Sequence, residues 1–162
     1  MYQWILLIHI LGAFVFAFFH GASTKVIFRL RRESDPDRMA ALLDLSSDHL
    51  GLMYISLLVM LAGGIGVGYF GDWFLSIWIW LSLALLVVIV AAMYYMATKP
   101  LNRVRITLGL PHNGKNDPRA AGETANPEEI AASIKMLKPW LMTAIGYGGL
   151  LLILVLMVLK PF

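Results

Sequence analysis

Residues 50–97 read LGLMYISLLVMLAGGIGVGYFGDWFLSIWIWLSLALLVVIVAAMYYMA, two long apolar runs separated only by Gly71-Asp72, and Asp72 is their sole formal charge. Each run supplies the roughly 20 residues that a helix needs to cross the hydrocarbon of a bilayer. A link of two residues between them predicts an antiparallel hairpin of spans two and three, expected to be the firmest contact in the fold.

Two further runs flank this pair. The expected spans are about 2–30, 50–70, 73–97 and 140–159, joined on one side by charged segments at 31–49 and 98–139. The sequence therefore predicts an all-α polytopic membrane protein: one domain over 1–162, with four transmembrane helices in an antiparallel bundle and short interfacial helices. Of 162 residues 59% are hydrophobic and 14% charged, well below the quarter charged that is usual for soluble domains. With no cysteine, disulfides, thiolate metal sites and thiol nucleophiles are excluded.

Twelve of the thirteen Lys and Arg fall in or beside the two charged segments, and only Lys160 lies at the other end. The positive-inside rule makes the rich side cytoplasmic and puts both termini outside, in a cytoplasmic (inner) membrane of bacterial type. Lys25 and Arg29, near the end of span one, are placed to snorkel toward headgroups. Aromatic belts agree: Tyr2, Trp4, Tyr69, Phe70, Trp73 and Trp78 mark one boundary, and Tyr54, Tyr94, Tyr95 and Trp140 the other. Met1 to Trp4 lacks the positive charge of a signal peptide, so span one is expected to persist. The net charge of +3 is explained by topology and forms no basic domain for nucleic acid. The two hairpins show no internal repeat.

In the first charged segment, Asp35-Pro36-Asp37 is a helix start, and Met39, Leu42 and Leu43 follow at helical spacing. A short interfacial helix is expected there, ending near Ser46-Ser47, whose hydroxyls would cap span two. The second segment, from Thr98 to about Ala125, is rich in Pro, Gly and Asn and is expected to be irregular, with His112 facing solvent. Asn126-Pro127-Glu128-Glu129 starts another helix carrying Ile130, Ile134 and Leu137 toward the membrane, and Pro139 interrupts the path into span four.

Imidazoles inside a membrane helix stand out chemically. His9 and His20 are eleven residues apart, which places them about 20° apart around the helix and roughly 16 Å apart along it. Gly12, Ala13 and Phe16 lie between them on that stripe, small enough in part to admit another helix or a flat cofactor. One use is axial ligation of haem b iron, or of another metal, by His9 or His20, and another is a proton relay. The plain structural use is hydrogen bonding across a helix interface to Ser56, Ser82, Tyr147 or Thr143. His49, at the start of span two, lies within about two turns of the level of His20 and is either a third ligand or an interfacial histidine beside Asp48. Asp44 and Asp48 are spaced to present two carboxylates on one helix face, though helix capping explains them too.

The run Gly63-Gly64-Ile65-Gly66-Val67-Gly68 lacks the Lys-Ser/Thr of a phosphate loop. Gly64 and Gly68 form a small-xxx-small packing face, and Gly146, Gly148 and Gly149 offer a complementary one, for other membrane subunits or for self-association. No Asp, Glu, Lys or Arg lies near the centre of a span, which counts against charge-coupled transport through this chain alone.

The opening Trp4-Ile5-Leu6-Leu7-Ile8-His9-Ile10-Leu11-Gly12-Ala13, with a basic cluster from Arg29 to Arg32, resembles the first helix of a bacterial group. That group includes copper-resistance D-type proteins, HemJ-type protoporphyrinogen oxidases and uncharacterised four-helix membrane proteins. The resemblance covers about the first 30 residues and implies a cofactor-ligand role for His9 alone. Where those families often show Trp-x-x-Gly after the histidine, this chain has Phe16-Ala17-Phe18-Phe19-His20-Gly21, and it has no secure counterpart of the oxidase group's second histidine. Three functions remain open on the sequence: a haem-binding or redox-associated membrane protein, a non-catalytic subunit of a larger membrane complex, and a small-molecule or metal transporter.

Overall fold

The computed structural model describes residues 1–110 and 125–161, and every described element is helical. Helix α1 spans Tyr2–Leu30 and α2 spans Pro36–Phe70. A single 3-10 turn at Trp73–Leu75 leads into α3 at Ile77–Met93. A π-helical segment at Tyr94–Thr98 joins α3 to α4 at Lys99–Thr107, and α5 (Pro127–Lys135) and α6 (Pro139–Leu159) complete the chain. Four stretches, Tyr2–Leu30, Pro36–Phe70, Ile77–Thr107 and Pro127–Leu159, are long and apolar enough to cross a membrane.

Three boundaries differ from the sequence reading, each for a local reason. The first interfacial helix and span two are one helix of 35 residues, begun by Asp35, whose side chain accepts from the Asp37 amide at 3.0 Å. No Gly or Pro interrupts 37–50, and Ser47 Oγ donates to Leu43 O at 3.1 Å within the helix instead of capping a new one. Span three starts at Ile77 rather than Trp73, because Asp72 adopts a left-handed φ of 55° and the chain then turns once before straightening. Residues 99–107, expected to be irregular, continue the path of α3. Pro100 has no amide for the carbonyl four residues back, and the π segment just before it relieves that mismatch. The remainder of that loop, with His112, lies outside the described residues.

The other helix starts stand as read. Asn126 Oδ1 accepts from the Glu129 amide at 2.9 Å, and Pro139 opens α6 after a break at 136–138.

At about 1.5 Å per residue α2 is about 52 Å long, far more than the roughly 30 Å of hydrocarbon in a bilayer, so a bilayer would cover only part of it. Its first turns join the end of α1, α4, α5 and the start of α6 in a compact cap. There Leu30, Val104 and Leu137 are fully buried, and Leu43 and Met142 are 2% and 1% exposed. Polar ties accompany the apolar core: Arg105 pairs with Asp44 at 2.8 Å and donates to Ser47 Oγ at 2.9 Å, while the buried hydroxyls of Thr107 and Ser133 meet at 3.1 Å. Asp44 is thus one half of an ion pair with Arg105.

The apolar stretches are packed far less completely. Only 11% to 28% of their most apolar windows is buried, which leaves most of their surface for lipid if they are embedded. The most extensive contact joins α1 to α2, followed by α3 with α6, and not α2 with α3 as the short link suggested. Helices α2 and α3 meet near the turn, where Gly68 faces Ile79 and Phe74.

Candidate functional site around the α1 histidines

Helix α1 turns its stripe of His9, Gly12, Phe16 and His20 inward, as the spacing predicts: Gly12, Phe16 and His20 are buried and His9 and Ala13 are half-buried. The stripe meets two different partners. Toward its N-terminus it lies on α2, and further along it reaches α6.

At the α2 contact, Gly63 lies under the backbone of His9 and Gly64 under its ring. A Cβ on Gly12 would come within 2.9 Å of the Met60 amide nitrogen. Because no side chain stands at Gly64, His9 Nδ1 reaches Met60 O at 2.6 Å. A carbonyl only accepts, so Nδ1 carries the hydrogen, and in the neutral form of the ring the lone pair is on Nε2. No hydrogen bond engages Nε2 among the described residues.

His20 is built differently. Its ring stacks on Phe16 (5.9 Å between centroids, 16° between planes) and meets the edge of Tyr147 at 5.3 Å. Its Nε2 occupies the space where a Cβ on Gly146 would stand, and it is buried without a hydrogen-bond partner. His49 meets Phe19 at 5.7 Å, on the α1–α2 contact, and its Nδ1 is also buried and unpartnered, as is Ser23 Oγ. The facing pairs His9–Gly63 and Gly12–Met60 define a register that, continued, sets Ser23 opposite His49.

The expected grouping is therefore only partly realised. His9, His20 and His49 lie at separate contacts, and no group of three or more His, Asp or Glu suited to a metal ion occurs among the described residues. One iron cannot take both His9 and His20, since metal–nitrogen bonds of about 2 Å do not bridge roughly 16 Å. The expected cofactor wall is also occupied: Gly12 abuts Met60 and Phe16 stacks on His20. Of the anticipated hydroxyl partners, Ser56, Ser82 and Thr143 are each bonded to a carbonyl of their own helix, and Tyr147 meets His20 through its ring edge. The partner that sequence reasoning missed is the Met60 carbonyl, and its signal was Gly64, the missing side chain that lets the imidazole in.

The glycines expected to serve other chains are used within this one. Gly64 faces His9, Gly68 faces Ile79, Gly146 faces His20 and Gly149 faces Ile89, whereas Gly148 has nothing within contact distance.

The fold and these contacts define an all-helical protein with four membrane-length helices. Compared with known proteins, the chain matches no family model, no curated protein and no solved structure.

Proposed function

We propose that this chain is a four-span protein of a bacterial-type cytoplasmic membrane, an antiparallel bundle with both termini outside and the cap in the cytoplasm, that carries haem b on His9. The observation that carries the haem reading is the 2.6 Å bond from His9 Nδ1 to Met60 O. Histidines that ligate metals commonly donate their second ring nitrogen to a carbonyl, which fixes the tautomer and makes the other nitrogen more basic. His9 has that arrangement, and its Nε2 would be the atom that holds the iron.

His20 does not fit, because Gly146 closes on its Nε2. Gly12 and Phe16 do not fit as cofactor walls, since α2 and His20 occupy them. Haem, when bound, supplies one-electron redox chemistry. The chain's own part is to orient the imidazole in an apolar setting.

The orientation rests on the charge asymmetry, in which Lys160 is the one Lys or Arg at the far end; its Nζ lies 3.8 Å from the centroid of Trp73, a pairing suited to a headgroup boundary. The test of the haem reading is the absorbance of protein purified from haem-replete cells. A Soret band that is lost in His9→Ala and kept in His20→Ala is expected. A colourless wild-type preparation, or a band indifferent to His9, overturns it.

A further inference from the structure

The cap contains a cleft of about 490 Å³ between the α1–α2 junction and α5, lined among others by Arg31, Glu33, Met39, Ile130, Ile134 and Lys135. Its floor is apolar, because Met39, Ile130 and Ile134 are buried. Its rim holds charge of both signs, and the two signs are not equally engaged. Glu33 pairs with Arg29 at 3.5 Å and accepts from the Ser34 amide at 3.2 Å. Arg31 uses one guanidinium nitrogen to donate to Leu137 O at 2.9 Å, and neither Arg31 nor Lys135 has an ion pair among the described residues. The cleft therefore presents two uncompensated cations above an apolar floor.

The same hydrogen bond ties Arg31 to the α5–α6 junction, beside Met136 and Trp140, which are 48% and 77% exposed. Trp140 meets Phe28 edge-on at 4.8 Å, next to the basic end of α1. An exposed tryptophan against a long apolar helix is the usual marker of the headgroup level. The cleft thus lies where lipid phosphates would be if these helices cross a bilayer.

We propose that this cleft binds the phosphate-bearing headgroup of an anionic phospholipid, with Arg31 and Lys135 on the phosphate and Met39, Ile130 and Ile134 against its glycerol and upper acyl region. Basic pockets beside membrane helices on the cytoplasmic side are suited to such headgroups, and selectivity for anionic lipid follows from the two unpaired cations. The inference rests on the membrane placement in the proposed function but not on haem. A colourless protein leaves it standing, and a failure of lipid selectivity leaves the His9 reading standing.

The test is native mass spectrometry of the full chain in mild detergent, titrated separately with phosphatidylglycerol and phosphatidylcholine. Preferential retention of phosphatidylglycerol is expected. Lys135→Gln should lower that preference about fivefold, and Arg31→Gln with Lys135→Gln roughly thirtyfold. Arg38→Gln, in the same cap but paired with Asp35, should change it less than twofold. Glutamine at 31 retains an amide donor for Leu137 O, and Lys135→Gln alters an exposed side chain, so that single variant reads the site even if the double variant misfolds. Equal retention of the two lipids, or a preference unchanged in Lys135→Gln, overturns the proposal. Displacement of phosphatidylglycerol by millimolar inorganic phosphate, with the same dependence on Lys135, would assign the cleft to a soluble phosphate and overturn the lipid.

Discussion

The imidazole of His20 lies in the notch that Gly146 leaves on α6, with Nε2 where a β-carbon would otherwise be. One missing side chain thus decides how closely α1 and α6 approach. Gly146→Ala should force the ring or the helix to move and cost about 1–3 kcal/mol, as overpacking of a close contact does. His20→Ala empties the notch, so in the double variant the glycine substitution should cost little. Thermal unfolding in detergent across the four-protein cycle checks this, and strictly additive losses would refute the notch.

Glycines in the α1–α2 seam should rank by what faces them. Gly12→Ala meets the Met60 backbone, which cannot rotate away, whereas Gly148→Ala enters open space. The first is expected to destabilise by about 1–3 kcal/mol. The second should be neutral or stabilising by up to about 1 kcal/mol, the usual helix preference of alanine over glycine. Equal effects at the two positions in the same unfolding assay would contradict the packing described.

The cap should hold more of the side-chain packing energy than the membrane-length stretches do. Leu137 is fully buried and Leu154 is 56% exposed, so Leu137→Ala should cost about 2–5 kcal/mol. Leu154→Ala should cost far less, since bilayer or detergent covers that position in both folded and unfolded forms. The comparison is made by denaturation midpoints in one detergent.

Arg105 links α4 to α2 through Asp44, with side-chain exposures of 13% and 61%. Because the carboxylate is open to solvent, Asp44→Asn should cost no more than about 1 kcal/mol, and that loss should shrink as salt is raised. Arg105→Met keeps the stem packed but removes the bond to Ser47 as well, so it should cost more than Asp44→Asn.

The absence of native cysteine makes topology directly measurable. In the proposed orientation, Leu75→Cys at the 96%-exposed tip of the 3-10 turn should react with an impermeant maleimide in intact cells. Ser34→Cys in the cap should react only after lysis. The opposite pattern would invert the bundle and, with it, the side on which the lipid cleft lies.

Composition and periodicity were enough to read four membrane-length helices, the helix starts at Asp35-Pro36 and Asn126-Pro127, and the inward stripe of His9, Gly12, Phe16 and His20. These are local or nearest-neighbour properties: length against bilayer thickness, a cap satisfying an amide, a spacing near 3.6. The continuity of α2 was not legible, because Ser46 and Ser47 are compatible with either a cap or a helix interior and only the surrounding packing chooses. Nor was helix pairing. The short link at 71–76 makes α2 and α3 neighbours in the chain, yet side-chain fit joins α1 to α2 through Gly12, Gly63 and Gly64 instead. The separate environments of the histidines followed from that choice. Sequence placed His9 and His20 on one line, but only tertiary structure could send that line first across the Met60 carbonyl and then into the notch at Gly146, because a helix fixes directions and its neighbours decide what lies in them.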